Sequence, residues 1–191
     1  AARSTVRRQL TQRRFLDDVS NQTQVLKLQG SLFFGTINSI ETLVRKMLDL
    51  ADWQHYPISF LIMDLGLVHS MDFSAVEAMT RIHRMLMMHG VHLVFCGLSL
   101  NGDVTISLQK ADLWTDEANG LDVFATLNEA LEWTENEYIR GLYMFNLSMT
   151  AGALRPSSIA GQSTFRSIHP KPKPTVTYDE VDENPPRYEQ L

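Results

Sequence analysis

The residues best placed for chemistry are one acid and one hydroxyl, Asp72 and Ser74, at the start of a predicted helix. They follow an apolar strand predicted over residues 58–63 and a polar break over residues 64–70. A helix N-terminus offers unpaired N–H groups and a partial positive charge, so α/β proteins often place function there. No second acid, His or Cys follows closely enough to suggest a catalytic set. The pattern favours a switch or docking point, and we predict that the chain is not an enzyme.

Ser74 also has a purely structural interpretation. Ser74 and Glu77 have the spacing of a capping box, in which a hydroxyl and a carboxylate satisfy backbone donors at the start of a helix. Asp72 alone is an alternative cap for the same helix. Because serine is a common capping residue, the sequence leaves both the cap and the switch open.

The composition is that of an ordinary globular protein. The 191 residues are 44% hydrophobic and 20% charged, with a net charge of −5, which fits one domain plus extensions and gives no indication of nucleic-acid binding. The single Cys96 excludes an intramolecular disulfide and suits a reducing compartment. No signal peptide and no apolar run of membrane-spanning length is found. The first residue is Ala1 rather than Met, which indicates a fragment or a trimmed chain.

The sequence contains no motif for a cofactor or a metal. A P-loop, a G-x-G-x-x-G word and a G-x-S-x-G word are all missing. His83, His89 and His92 straddle a helix end and a strand without a Cys pair or an acidic helper, so we predict surface or structural roles for them. Cys96 ends a buried strand, where it packs as a small apolar residue. We therefore predict no cofactor and no metal.

Strands alternate with helices along residues 23–140, which predicts one α/β domain with a mostly parallel sheet flanked by helices. Thr126 and Glu129 form a second capping box at the start of the last helix, which we expect to run to about Arg140 or slightly beyond. The predicted strands span residues 24–30, 32–34, 58–63, 91–96 and 121–124. The predicted helices span residues 36–52, 72–89, 101–111 and 126–140.

The two ends of the chain differ from this core. Residues 1–22 are basic, and they form either a solvated helix or connector, or a juxtamembrane segment attracted to anionic lipid of the inner leaflet. Residues 141–191 are rich in Ser and Pro and are expected to form a flexible, disordered tail. The N-terminal arginines are Arg3, Arg7, Arg8, Arg13 and Arg14.

The order of elements and several words resemble the STAS domain, a module shared by bacterial anti-anti-sigma factors and the C-terminal part of SulP-type anion transporters. The resemblance is strongest in the motif at residues 71–75, which is followed by a helix and by the apolar segment at residues 90–97. In anti-anti-sigma factors a partner kinase phosphorylates the Ser of a similar Asp-x-Ser-Gly word. Ser74 occupies that position, with Ala75 in place of Gly. The stretches that resemble the fungal SulP-type subgroup are residues 6–10, 30–37 and 127–136.

The resemblance implies a regulatory and protein-interaction domain on the cytoplasmic face of a plasma or vacuolar membrane, within a sulfate-like anion transporter. The implied partners are the membrane part of the same transporter, regulatory proteins such as a kinase, and inner-leaflet lipid beside the basic segment. The alternative is a free phospho-switch protein of the anti-anti-sigma type. A membrane-spanning segment upstream in the full gene would distinguish the two.

The C-terminal tail carries one further motif. Pro185, Pro186 and Tyr188 complete the P-P-x-Y word that WW domains bind, because the prolines hold a polyproline II helix in advance. In eukaryotic transporters such a word often recruits a WW-domain ubiquitin ligase, and Lys171 and Lys173 are nearby acceptors. A chance occurrence in a proline-rich tail is the alternative.

Overall fold

Helices and strands alternate along the computed structural model, which describes residues 2–49, 57–114 and 120–152. The tail after Gly152, including most of the stretch predicted to be disordered, lies outside the described residues. The elements are α1 (Leu10–Val19), a 3-10 turn (Ser20–Gln22), β1 (Thr23–Leu32), α2 (Phe34–Asp49), β2 (Phe60–Met71), α3 (Phe73–Met88), β3 (His92–Cys96), α4 (Asp103–Lys110), β4 (Leu121–Phe124) and α5 (Leu127–Gly152).

The strands of the described residues form one parallel sheet in the order β1-β2-β3-β4. Each strand pairs with the next one in sequence, and the helices provide the crossovers that parallel neighbours require. The predicted α/β class, with a parallel sheet flanked by helices, is confirmed.

The two faces of the sheet are covered by different helices. Alternate strand residues such as Met63 and Phe95 pack with α2, α3 and α4, whereas Ile62, Val94 and Cys96 pack with α5 on the opposite face. Because successive side chains of a strand point to opposite faces, coverage of both faces explains the continuous apolar run that predicted β2.

The first two strands are longer than predicted. The predicted strand at residues 24–30 is part of a longer strand, β1, with register shifts between Lys27 and Gln29 and after Gly30. The prediction of a second strand at residues 32–34 was wrong, because β1 ends at Leu32 and Phe34 already begins α2. β2 continues through the predicted polar break at residues 64–70 to Met71, and there it pairs with β1 beyond the last β3 pair. The prediction of a break was wrong because many residues in this half of β2 are exposed and polar, so they lack an apolar run.

The helices at the two ends also differ from the prediction. α5 runs to Gly152, so the predicted start of the tail at residue 141 falls inside a helix. The basic segment contains α1, whose buried Leu16 and Val19 pack against Tyr138 and Ile139 of α5. α1 is therefore amphipathic and attached to the domain rather than fully solvated. In the part of the chain that is described, no helix has the length and apolar character that crossing a membrane requires.

Candidate functional site

The starts of α2 and α3 lie side by side at the carboxyl edge of the sheet. Leu32 at the end of β1 pairs with Met71 at the end of β2, and the Asp72 N–H donates to the Leu32 carbonyl at 3.1 Å. Phe34 and Phe73 then open the two helices. The predicted site residues Asp72, Ser74 and Glu77 therefore lie where open α/β sheets commonly bind their ligands.

Asp72 is the N-cap of α3. Its extended backbone leads from β2 into the helix, and its Oδ1 accepts a hydrogen bond from the Ala75 N–H at 2.7 Å. Its carbonyl accepts the first helical bond, from Val76, at 3.1 Å. Of the two caps that the sequence allowed, the structure contains the one made by Asp72 alone.

Ser74 lies inside α3 as its second residue, immediately before the buried residues Ala75 and Val76. The side chain is half-buried, and in the described part of the chain its hydroxyl makes no hydrogen bond to another residue. Glu77 is exposed on the next turn. Since the cap does not use Ser74, its hydroxyl stands at the positive end of the helix macrodipole without a structural task.

Large exposed apolar side chains lie on the second half of β2 and around the starts of α2 and α3, and the sequence prediction missed this apolar rim. The rim consists of Phe33, Phe34, Leu67 and Phe73, which are 48%, 65%, 61% and 76% exposed. Phe33 and Phe34 had been predicted as a strand, which would have buried part of them. Large apolar side chains clustered at one surface mark interaction sites more often than singly exposed ones do. The signal in the sequence is the run of apolar residues immediately before the helix start at residue 34.

The backbone behind the site is held by an unusually close approach between two glycines. Gly97, which follows β3, has φ +79°, and a Cβ placed there would lie 2.6 Å from the Gly66 nitrogen of β2. Beside this contact, the Asp64 carboxylate accepts a hydrogen bond from the Gly66 N–H at 3.1 Å. Only glycine tolerates both this φ and this contact, so the exit of β3 is fixed against β2.

Cys96 lies beside this contact, at the end of β3, and is fully buried. Burial raises the pKa of its thiol from 9.0 to about 12, and the negative charge of Asp64 adds to the rise. A thiol with this pKa remains protonated at neutral pH and is a poor nucleophile. The structural interpretation of Cys96 therefore agrees with its environment.

The N-terminal arginines do not act as one group. Arg8 donates to Glu135 at 3.0 Å, and both side chains are only 12% exposed. Arg3 forms an ion pair with Asp17. These two arginines hold the N-terminal segment against α5 and α1.

The other three arginines, Arg7, Arg13 and Arg14, are exposed. Among the described residues they form no ion pair. They are therefore the part of the basic segment that is available to a partner.

A histidine–carboxylate pair lies at the opposite, amino end of the sheet. His92 Nε2 and Asp122 Oδ2 are 2.6 Å apart, and Asp122 is buried. The rings of Phe60 and Trp133 pack within 5.8 Å of the imidazole. The structural role predicted for His92 is consistent with this enclosure, although its partner, 30 residues further along the chain, was not predicted. Within the described ranges no three metal-binding side chains come together.

The proposed WW motif at Pro185, Pro186 and Tyr188 lies outside the described residues. Its partner stays a prediction from the sequence.

Comparison with known proteins decides the family. A family model described as the STAS domain matches residues 14–130. The chain belongs to the STAS domain family. The resemblance carried by the word around Ser74 is thereby confirmed, and in this STAS domain Asp72 and Ser74 lie on the α3 start described above.

This STAS domain has a relative in yeast. It is 37% identical over 142 residues to the vacuolar basic amino acid transporter VSB1 of Saccharomyces cerevisiae. The match covers 72% of this chain but 13% of the relative, so the chain spans a small part of that protein's length.

Solved structures with similar folds include two from bacterial transporter proteins. The SulP transporter STAS domain of Vibrio cholerae is 19% identical, with TM-score 0.48 and coverage of 64% of this chain and 94% of that one. A sulfate transporter family protein of Wolinella succinogenes is 16% identical, with TM-score 0.48 and coverage of 62% and 88%. The unphosphorylated anti-sigma factor antagonist SpoIIAA is 18% identical, with TM-score 0.44 and coverage of 60% and 90%.

Proposed function

We propose that this chain is the regulatory and protein-interaction domain of a fungal SulP-type membrane transporter, and that it acts by binding rather than by catalysis. The observation that carries the proposal is the 37% identity with the yeast vacuolar transporter along 72% of the chain. The name of that relative supports a vacuolar membrane as the location of the parent protein, with this domain on its cytoplasmic face.

Regulation, rather than solute choice, is the task we assign to the domain. The resemblance to SulP transporters implied a sulfate-like anion, whereas the name of the yeast relative specifies basic amino acids. Solute selectivity depends on the residues that line a membrane pore. We therefore assign transport to the membrane part of the parent protein, which is also the first partner that we propose for this domain.

The start of α3 supplies the proposed regulatory surface. The Ser74 hydroxyl has no structural task there, and the apolar rim provides exposed area for a docked partner. A phosphate on Ser74, added by a kinase, would bring about −1.5 to −2 charges to a helix N-terminus. The macrodipole favours this charge, but the Asp72 carboxylate opposes it. The expected effect is therefore a changed docking surface more than a changed fold.

The experiment uses the full-length parent protein in isolated vacuoles and compares substitutions at the two ends of α3. Phe73→Ser and Ser74→Asp change the proposed surface, whereas Met88→Ser changes a side chain that is 78% exposed at the far end. We expect the first two to change the transport rate at least about threefold at unchanged protein abundance, and the control to leave it unchanged. Equal transport by all variants and by a protein lacking residues 14–130 would refute the proposal.

The free phospho-switch protein is kept as the second candidate because the Asp72-Phe73-Ser74 word stands at the start of α3 with its hydroxyl available. This candidate predicts that the full gene encodes no membrane-spanning segment. It also predicts that a cognate kinase modifies Ser74 in the isolated chain. Sequencing the gene upstream of Ala1 and a phosphorylation assay separate it from the transporter domain.

A further inference from the structure

The last helix changes character part-way along its length. Its first half, residues 127–140, carries four Glu side chains and Arg140, whereas residues 141–152 contain no Asp, Glu, Lys, Arg or His. Twelve helical residues extend about 18 Å, which is too short to cross a bilayer core of about 30 Å. A short apolar helix segment of this length is either buried in a core or placed at an interface.

The charge-free half of α5 is not buried in the core of this domain. Tyr143, Met144 and Leu147 are 54%, 64% and 64% exposed, and Leu10 at the start of α1 is 65% exposed. The two helices meet here, because the Gln12 side chain donates to the Tyr143 hydroxyl at 3.3 Å. The exposed apolar side chains of both helices therefore belong to one end of the α1–α5 pair.

Positive charge accompanies this apolar surface. Arg13 and Arg14 lie on the first turns of α1, and Arg7 lies just before it; all three are exposed and, among the described residues, form no ion pair. Of the two acids of α1, Asp17 is paired with Arg3, and Asp18, one turn after Arg14, forms no ion pair with it. The surface thus combines apolar and aromatic side chains with uncompensated cations.

We propose that this surface, which we call the α1–α5 end and define by Arg7, Leu10, Arg13, Arg14, Tyr143, Met144 and Leu147, docks on an anionic phospholipid leaflet. Apolar side chains enter the boundary between headgroups and acyl chains, while the arginines contact headgroup phosphates. Arg and Tyr suit this position, because each joins an apolar body to a polar tip. The inference deepens the proposed function by naming the partner of the domain's membrane-facing side.

Vesicle binding tests the inference with the 191-residue chain itself. Flotation with phosphatidylcholine vesicles is compared with flotation when a third of the lipid is phosphatidylserine. We expect binding to the anionic vesicles only, weakening as salt is added. The double variant R13Q/R14Q should bind about 30-fold more weakly, and M144Q/L147Q at least about tenfold more weakly.

Matched control variants replace cationic and apolar side chains of the same kinds on other parts of the surface. The double variant R84Q/K110Q removes two exposed cations, and M88Q/L100Q removes two apolar side chains that are 78% and 82% exposed. Both controls should bind anionic vesicles like the unchanged chain. Circular dichroism and a melting curve confirm that each variant is folded, so a loss of binding reports on the surface.

Three results would overturn the inference. They are absence of binding to both vesicle types, equal binding to neutral and anionic vesicles, and equal losses in test and control variants. A dimer of the chain that M144Q/L147Q dissociates, without vesicle binding, would assign the α1–α5 end to a second copy instead. None of these results bears on the transport assay above, so the two proposals fail independently.

Discussion

Arg8 Nε lies 3.0 Å from the Glu135 carboxylate, and this pair connects the residues before α1 to the middle of α5. The same carboxylate accepts hydrogen bonds from the Ser4 N–H at 2.9 Å and the Ser4 hydroxyl at 2.6 Å. One side chain thus satisfies three donors of the N-terminal segment, and this arrangement gives a prediction about stability.

Replacing Glu135 with Ala should lower the free energy of unfolding by about 2 kcal/mol, because the Arg8 Nε–H and both donors of Ser4 lose their acceptor while partly buried. The matched control is Glu137→Ala, which removes an i,i+3 pair with the largely exposed Arg140 and should cost about 0.3 kcal/mol. Urea unfolding of both variants gives the comparison. Similar losses for the two variants would show that the segment is not held by Glu135.

The cap at α3 gives a second prediction. Asp72→Ala should destabilise the domain by about 1 kcal/mol, Asp72→Asn should cost little because Asn also caps helices well, and Ser74→Ala should change stability by less than about 0.5 kcal/mol. Thermal unfolding of the three variants distinguishes them. A loss for Ser74→Ala as large as that for Asp72→Ala would restore the capping box with Glu77.

The glycine contact behind the site gives a third prediction with an internal control. Gly97→Ala should destabilise the domain by about 3 kcal/mol, because it adds a Cβ 2.6 Å from backbone as well as strain at positive φ. Gly90→Ala has a similar φ of +70° but meets nothing within 4 Å, so it should cost only about 1 kcal/mol. Denaturant titration measures the difference. Equal costs would mean that the contact with Gly66 relaxes freely.

The raised pKa of Cys96 gives a fourth prediction. The thiol stays protonated in the folded state up to about pH 12, while in the unfolded state it ionises near 9.0. The stability contributed by the neutral thiol is therefore present in full below pH 9 and is lost as the pH rises from 9 towards 12. Labelling with a thiol reagent at pH 8 should proceed only as fast as the protein unfolds. Rapid labelling of the native protein would show that Cys96 is accessible and ionised.

The tail motif gives a fifth prediction, which stands on the sequence alone. A peptide covering residues 184–191 should bind WW domains through Pro185, Pro186 and Tyr188, because the prolines hold its backbone in the bound conformation in advance. The Tyr188→Ala peptide should bind at least about tenfold more weakly, since the ring leaves its pocket. Fluorescence titration provides both values. If the two peptides bind equally, or neither binds, the motif is a chance match.

The fully buried strands were predicted from the sequence. The segments that depend on contacts with residues far away in the chain were not. The continuous apolar runs at residues 58–63 and 91–96 predict strands covered on both faces. This signal lies within the sequence of each strand, so it could be recognised without knowing the neighbouring strands. The second half of β2 has no such run, because it is a strand only through pairing with β1. Likewise α1 is attached by Arg8 and Glu135, which are 127 positions apart.

At the candidate site, local chemistry was predictable and surface exposure was not. Asp72 was recognised as one of two caps because a cap is defined by its nearest neighbours along the chain. The apolar rim was missed because Phe33 and Phe34 have the composition of a buried strand, and only the position of α2 exposes them. Sequence interpretation assigns apolar residues to the buried core. Exposed apolar residues break this rule, so the surfaces that they form are not predicted.

The position of α1 on α5 also has a mechanical consequence. The chain enters the described domain along residues 3–19 and leaves it along α5, and these segments are joined by Arg8 with Glu135 and by Leu16 with Tyr138. A pulling force applied between residue 2 and residue 152 would therefore be borne first by these contacts. The parallel sheet would carry no tension until these contacts had separated. A force on the two ends would therefore break the α1–α5 contacts before it reached the strands.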